Sequence, residues 1–275
     1  MLGTTNNLEV LKQVDFGMYL DGGDLGEILI PKRYVPHDLE VGDTLEVFIY
    51  RDSDDRIIAT TETPYAEISK SAHMRVVGTN DAGAFLDWGL SKDLFVPFKE
   101  QRTPMREGNS YTVYVFIDKS DRIAGSSKLS LFLKETDDDG IFIEGQMVNL
   151  QIASRSDLGF KAIINDTHLG LIHHSDLLQP IKVGTRAEGY IKNIRDDGKI
   201  DLTLQAKGES AIDSLAKDIL EFIKEEGGVI NITDKSSPDI IYKTFAVSKA
   251  SYKKALGQLY REKLVLLSKG EVRLV

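Results

Sequence analysis

Two adjacent histidines and an aspartate lie close together in the second half of the chain. His173, His174 and Asp176 belong to the run GLIHHSDL, and His168 comes shortly before it. Imidazole and carboxylate groups bind transition metals, and they also serve as general acids and bases. These residue types therefore suggest either a metal or catalytic site, or a surface of another kind.

Other features of the sequence argue against an enzyme. The chain has no cysteine, which excludes a disulfide framework, a thiolate zinc site and a cysteine nucleophile. The run DDDG at Asp137 to Gly140 lacks the remaining ligands of a calcium loop, and GGDLGE at Gly22 to Glu27 lacks the Lys-Ser/Thr of a phosphate loop. No Ser-His-Asp order stands out. We therefore predict a protein without catalytic activity or cofactor.

An internal repeat changes the interpretation of the histidines. The glycine of an Asp-x-Gly turn is followed 14 residues later by proline in the first two copies and by His173 in the third, and 11 residues further on by another glycine. The first glycine of each copy is Gly17, Gly83 or Gly159. The residue 14 positions later is Pro31, Pro97 or His173, and the second glycine is Gly42, Gly108 or Gly184. If His173 were a metal ligand, proline would not be expected at the equivalent positions of the other two copies.

Within each copy, apolar and polar residues alternate over short runs bounded by Gly, Asp and Asn, which is typical of half-buried strands. About five such strands in roughly 60 residues cannot bury both faces of an open sheet. Closing the sheet into a small barrel buries its inner face and also removes the exposed edge strands. The sequence thus predicts three tandem five-stranded barrels, at residues 1–65, 72–133 and 145–206. The predicted linkers are Glu62 to Ala72 and Lys134 to Gly140.

From about Glu209 the strand pattern stops and a helical period begins. One amphipathic helix ends at Gly227 and Gly228, a second begins with Ser237 as its cap and Pro238 in its first turn, and a third begins at Ser248. Two short strands around Lys269-Gly270 finish the chain. Three helices and a hairpin resemble a winged-helix domain at residues 209–275, so the fold class is mainly β with a C-terminal α+β unit.

The third copy, through GLIHHSDL, VGTRAEGYI and DDGKIDLTL, resembles the S-one RNA-binding domain, a five-stranded OB-fold barrel. Three such barrels before a winged helix that contains FAVSKASYKKALGQLYREKL are similar to the conserved virulence factor B family of bacteria. This resemblance covers essentially the whole chain. It implies an RNA-binding regulator of gene expression with no known catalytic activity.

The resemblance also implies which side chains contact RNA, because S-one barrels stack bases on aromatic rings and pair phosphates with cations. The match is partial in every copy. The first supplies Phe16, Tyr19, Asp52 and Arg56; the second supplies Phe85, Asp118 and Arg122; the third supplies His173 and Lys199, with Phe160 and Lys161 at or beside the aromatic position. The aromatic residues could equally be ordinary sheet residues, and the cations could be solvated turn charges. His174 is expected to point the other way along its strand.

The charge distribution favours the C-terminal half as the site of polyanion binding. The net charge of −9 divides into −8 for residues 1–71, −3 for residues 72–144, +1 for residues 145–208 and +1 for residues 209–275. Residues 248–275 alone carry +5. Their predicted RNA-binding cations, on or just after the third helix, are Lys249, Lys253, Lys254, Arg261 and Lys263. A solvated helix face is the alternative.

Three functions remain open. The first is a cytoplasmic protein that binds single-stranded RNA through the third barrel and the winged helix. The second is a transcription regulator that binds DNA through the winged helix, because such domains bind duplex DNA more often than RNA. The third is docking of a ribosomal component or a ribonuclease on the acidic barrels. A secretory signal and a membrane-spanning run are not evident, so no membrane partner is expected.

Overall fold

A computed structural model describes residues 1–177, 180–205 and 211–275. The described chain forms two compact units, residues 1–134 and 135–275. Three five-stranded barrels and a winged helix are present, which confirms the predicted fold class. The predicted boundary between the third barrel and the winged helix falls in residues 206–210, which lie outside the described residues. No helix in the described part of the chain is long and apolar enough to cross a membrane.

The first barrel is closed, with strand order β1-β2-β3-β5-β4. Its strands are β1 Thr5–Val14, β2 Gly17–Asp21, β3 Glu27–Pro31, β4 Thr44–Arg51 and β5 Ile57–Thr60. Strand β1 pairs with β4 through its first half and with β2 through its second half, and a bulge between Val10 and Lys12 lets it bend around the barrel. Inward residues such as Val10, Leu20 and Ile30 are fully buried and form the core.

The second barrel repeats this design and is nearly closed. Its strands are β6 Ser71–Asn80, β7 Gly83–Leu86, β8 Leu94–Pro97, β9 Ser110–Ile117 and β10 Ile123–Ser126, in the order β10-β9-β6-β7-β8. Strands β8 and β10 lie side by side, but no backbone hydrogen-bond ladder joins them among the described strand pairs. The side chain of Leu94 occupies the space where a Cβ on Gly125 would lie, at 3.0 Å, so this seam closes by side-chain packing.

The first two barrels share one apolar core, which explains why they form a single unit. Phe48 and Tyr50 of the first barrel pack with Trp88 of the second, and the rings of Phe48 and Trp88 meet edge to face at 5.5 Å. Trp88 Nε1 donates a hydrogen bond of 2.7 Å to the carbonyl of Ala66. Ala66 is buried, so the segment predicted as a linker is packed against both barrels.

The third barrel is closed and begins the second unit. Its strands are β11 Met147–Arg155, β12 Gly159–Ile164, β13 His168–His173, β14 Arg186–Ile194 and β15 Ile200–Thr203, in the order β11-β12-β13-β15-β14. The acidic run before it is structured, because Asp137 is buried and accepts hydrogen bonds from the backbone N–H groups of Ile141 and Phe142. Phe142 joins the barrel core, so Asp137 of the second predicted linker helps to hold the segment that precedes β11 against the barrel.

Strand pairing explains both repeat spacings. The two residues 14 apart face each other across the β2-β3, β7-β8 and β12-β13 hairpins, as Gly159 faces His173. A Cβ on Gly159 would lie 1.9 Å from the carbonyl oxygen of Ile172, which is why only glycine fits there. The second glycine of each copy has positive φ, and its N–H donates to the residue at the bulge of the first strand, as Gly184 does to Ile152 at 2.7 Å.

Replacement of Gly159 by alanine is expected to destabilise the third barrel by roughly 2–4 kcal/mol, because the new methyl group must push β12 and β13 apart. Urea unfolding followed by circular dichroism measures the loss. Gly257→Ala is the matched control in the same unit: Gly257 lies within a helix, and its nearest neighbour atom is 3.9 Å from an added Cβ. That change should stabilise the chain by about 0.5–1 kcal/mol. A neutral Gly159→Ala variant would contradict the steric argument.

The winged helix follows the predicted element order. It comprises α1 Ala211–Glu225, β16 Val229–Ile230, α2 Pro238–Phe245, α3 Lys249–Arg261, β17 Val265–Ser268 and β18 Glu271–Leu274. Both predicted caps are present, since Ser237 Oγ accepts from Ile240 N–H and Ser248 Oγ accepts from Ser251 N–H. The additional short strand β16 pairs with β18, and two residues are too short a run for sequence periodicity to detect.

Candidate nucleic-acid interface

The outer face of the third barrel brings together side chains from β13, β15 and the end of β14. His173 Nε2 lies 3.0 Å from Asp201 Oδ1 and 2.9 Å from Arg195 Nη2. Arg195 also donates from Nε to Asp201 Oδ2 at 2.9 Å, so its guanidinium binds the carboxylate through two nitrogens. Each member of this group is partly exposed, with His173 at 28% and Arg195 at 33% of the side chain. The group is therefore both fixed in position and accessible.

Arg195 is a site residue that the sequence analysis missed. Its N–H donates to the carbonyl of Lys199 at 2.9 Å, in the same turn in which Asp52 N–H meets Arg56 and Asp118 N–H meets Arg122. Arg195 thus stands where the other two copies have aspartate. Counting four residues back from Lys199, as from Arg56 and Arg122, would have found it.

The carboxylate of Asp201 remains charged under mildly acidic conditions. Burial alone would raise the pKa of Asp201, but hydrogen bonds from Arg195 and His173 outweigh burial and hold that pKa below its usual range. Asp201 is therefore ionised at neutral pH, and its carboxylate keeps the guanidinium of Arg195 in one orientation. Because Nε and Nη2 of Arg195 contact Asp201 and His173, Nη1 is the guanidinium nitrogen left for a ligand among the described contacts.

A groove of about 450 Å³ lies beside this group. Leu169, Gly170 and Leu171 of β13 form an apolar part of its lining. The remaining lining residues include three cations, two carboxylates and an exposed apolar side chain: Lys161, Arg195, Lys199, Glu135, Asp157 and Leu158. Lys161 Nζ is 3.2 Å from Glu135, and Lys199 Nζ is 3.2 Å from Asp197. Surface pairs of this kind are worth only about 0–1 kcal/mol, so a phosphate can exchange with either carboxylate.

Two residues of the third copy lie away from the groove. Phe160 corresponds to Met18 and Ala84, the inward residues that follow the repeat glycine, and its ring packs against the barrel core. Lys161 takes the outward position instead. His174 does not point away along a strand as expected, because β13 ends at His173 and His174 begins a 3-10 turn, where its exposed ring meets Phe160 at 5.7 Å.

The earlier metal hypothesis has no support in the arrangement of the histidines. His168 and His173 stand at opposite ends of β13, and His168 is buried with its ring against Phe142 at 5.0 Å. Among the residues that the structure describes, there is no group of three or more His, Asp and Glu side chains that could hold a metal ion.

The first barrel presents aromatic rings but a neutralised cation. Phe16 is 58% exposed, and its ring meets that of Tyr19 edge to face at 6.5 Å. The ammonium of Lys12 lies 4.8 Å from the centre of the Tyr19 ring. Arg56 is bound by Asp52 at 2.7 Å and by Asp54 at 2.9 Å, so two carboxylates compete with a phosphate for it.

The second barrel also has an aromatic pair, Phe85 and Phe95, with ring centres 5.2 Å apart. Its cation Arg122 forms an ion pair with Asp55, which belongs to the β4-β5 turn of the first barrel. The predicted contact residue is thus already engaged by an acidic group from another domain.

In the winged helix the predicted cations lie on the outer side of α3. The inner side carries the buried residues Tyr252, Ala255, Leu256 and Leu259. Lys253, Lys254 and Arg261 are exposed, Lys249 is half-buried, and exposed Lys263 follows the helix. Within the part of the chain that the structure describes, Lys253 and Lys254 form no ion pair. Tyr260, 53% exposed, lies seven residues after Lys253 on the same flank and was not singled out by the sequence analysis.

Comparison with protein families identifies both kinds of domain. A model of the S1 domain, the S-one domain of the sequence analysis, matches residues 2–62 and 70–128. A model of the CvfB-like winged helix domain matches residues 217–274. The S1 matches fall on the first two barrels, and the third barrel, which carries GLIHHSDL, lies outside the matched ranges.

Several relatives match along most of their length. The YitL protein of Bacillus subtilis strain 168 is 28% identical over 274 residues, which cover 98% of this chain and 92% of that protein. Conserved virulence factor B of Staphylococcus epidermidis ATCC 12228 is 23% identical, covering 86% of this chain and 82% of its own. A crystal structure of a Streptococcus pneumoniae multidomain protein with nucleic acid binding domains is 23% identical, with a TM-score of 0.44 and coverage of 100% and 98%.

Proposed function

This chain belongs to the conserved virulence factor B family, and from that premise we propose that it binds single-stranded RNA as a non-catalytic, post-transcriptional regulator of gene expression. Its S1 and winged-helix domains are of nucleic-acid-binding type. The proposal goes further than nucleic-acid binding in two respects. The nucleic acid is single-stranded RNA rather than duplex DNA, and the surfaces that bind it are the third barrel and α3.

The observation that carries the proposal is the contrast in how the cations are held. In the first two barrels, Arg56 and Arg122 are committed to aspartates. On α3, Lys253 and Lys254 have no acidic partner among the described residues. The third barrel adds a groove bordered by Lys161, Arg195 and Lys199, each of which also has a carboxylate partner. Among the predicted contact cations, those most available to a phosphate backbone therefore lie on α3.

The chemistry of the groove suits unpaired bases better than a duplex. Its apolar lining at Leu158 and Leu171 can contact the face of one base. His173 is not part of the lining, but it contacts the lining residue Arg195 and its partly exposed imidazole can stack on a base. Stacking of a base on a flat ring is worth about 1–3 kcal/mol, and the face of a base is accessible to such contacts only when the base is unstacked from a helix. Exposed Tyr260 offers a similar surface beside the lysines of α3.

A second function is favoured by α3 alone. Its exposed cations occupy the helix that winged-helix proteins commonly place in the major groove of DNA, with the β17-β18 hairpin beside it. In that case the barrels would serve as protein-interaction modules. The two proposals differ in the nucleic acid preferred and in whether the third barrel touches it.

Photocrosslinking of the full-length protein to an RNA 12-mer that contains 4-thiouridine tests where RNA binds. We expect crosslinked peptides from residues 158–173 and 249–263 to dominate at RNA concentrations near half-saturation. An oligonucleotide of the same length with a hairpin that sequesters the thiouridine is the control and should crosslink less. Crosslinks confined to residues 1–134 would overturn the proposed surface.

A further inference from the structure

The first two barrels enclose a groove of about 380 Å³. The second barrel contributes Phe85, Phe95 and Arg122 to one side of it. The first barrel contributes Arg51, at the end of β4, and Asp55, in the β4-β5 turn, to the other. The aromatic pair and Arg122 are the residues that a base and a phosphate would contact on this barrel. The acidic turn therefore stands directly over the second barrel's own ligand-binding face.

The turn is held there by several contacts. Arg51 Nη1 donates to the carbonyl of Asp55 at 2.8 Å and Nε donates to the carbonyl of Asp121 at 3.2 Å. Lys92 Nζ donates to the carbonyls of Arg51 at 2.9 Å and Asp52 at 2.7 Å. The ammonium of Lys92 is partly removed from water, and this burial lowers its pKa. The position of Asp55 is thus fixed by the packing of two domains.

The ion pair between Arg122 and Asp55 departs from the pattern of the first barrel. There Arg56 turns back to the first aspartate of its own turn, and Asp52 accepts its Nε at 2.9 Å. In the second barrel the equivalent residue is Asp118. Among the described residues, its carboxylate accepts hydrogen bonds only from the backbone N–H groups of Ser120 and Arg122. The guanidinium of Arg122 instead extends to the other barrel.

We propose that the Asp55 carboxylate occupies the position of a backbone phosphate on the second barrel, so that a single-stranded oligonucleotide binds this groove only by displacing it. Both groups are anions with several acceptor oxygens, and both suit the forked donors of an arginine. Asp93 and Asp118 also line the groove and oppose a polyanion. The inference rests on the proposed RNA-binding function and adds a second, internally blocked site to it.

The substitution Asp55→Asn tests the inference in the full-length protein. Asparagine keeps the shape of the side chain and the backbone carbonyl that Arg51 binds, but it removes the charge that holds Arg122. With the same thiouridine 12-mer, we expect the crosslink yield in peptides from residues 81–97 to rise about fivefold. Adding Arg122→Gln to the Asp55→Asn variant should return the yield to its original level.

Asp54→Asn is the matched control, because it removes the same charge from the same turn, yet Asp54 pairs with Arg56 and not with Arg122. It should leave the yield in residues 81–97 unchanged. Trp88 is the only tryptophan and lies in the shared core, so unaltered tryptophan emission establishes that each variant is folded. No increase in the folded Asp55→Asn protein, or an equal increase for both variants, would overturn the inference. Crosslinks in residues 158–173 and 249–263 report the proposed function separately.

Discussion

Simultaneous replacement of Lys253 and Lys254 by alanine is expected to lower the affinity for single-stranded RNA about tenfold or more at moderate salt. Both ammonium groups are exposed on α3, and the described residues offer them no carboxylate. Each is therefore free to displace a counterion from a phosphate, and that release dominates affinity for a polyanion. Fluorescence anisotropy of a labelled 12-mer measures the loss.

The salt dependence distinguishes lost phosphate contacts from a distorted domain. Each phosphate contact to a single strand contributes about 0.7 to the slope of log affinity against log salt, so the double variant should reduce that slope by about 1.4. Lys224→Ala with Lys235→Ala removes two exposed lysines from other parts of the same domain and serves as the control. Equal losses in the two double variants would indicate that net charge, rather than the α3 surface, governs binding.

Replacement of Arg195 by aspartate is expected to reduce RNA affinity about ten- to a hundredfold. The change recreates the acidic residue of the first two copies, and it removes a guanidinium worth about 1.5–3 kcal/mol per charged hydrogen bond. It also places a second carboxylate beside Asp201. Anisotropy with the same 12-mer measures the effect.

Arg195→Gln removes the charge without adding repulsion, and it should show a smaller loss in the same direction. Lys182→Asp reverses the charge of an exposed lysine elsewhere on the third barrel and is expected to change the affinity much less. Circular dichroism separates loss of folding from loss of binding. Normal affinity in a folded Arg195→Asp protein would exclude the third barrel from the interface.

The spacing of repeated residues and the periodicity of apolar residues were enough to predict the fold. The 14-residue step is the register of a hairpin, as in Gly17 opposite Pro31, and glycine recurs because a backbone carbonyl leaves no room for a side chain. The helix caps at Ser237 and Ser248 also follow from neighbouring residues. These features depend on contacts between residues close in sequence or on a repeated spacing, so a single sequence is sufficient to predict them.

The site was predicted less completely because its contacts are distant in sequence. Arg195 and His173 contact each other and Asp201 of β15, and no spacing rule links all three. Asp55 and Arg122 meet only because two barrels share a core. Phe160 was predicted beside the stacking position, although alignment on the repeat glycine places it with the inward residues Met18 and Ala84.

The most direct test of the central claim is competition between single-stranded RNA and duplex DNA for the full-length protein. A labelled RNA 12-mer bound at half-saturation is challenged with unlabelled RNA of the same sequence or with duplex DNA of equal phosphate content. We predict that the unlabelled RNA displaces the probe at a concentration at least tenfold lower than the duplex does. Displacement at a lower concentration by duplex DNA would contradict RNA binding and support the DNA-binding alternative.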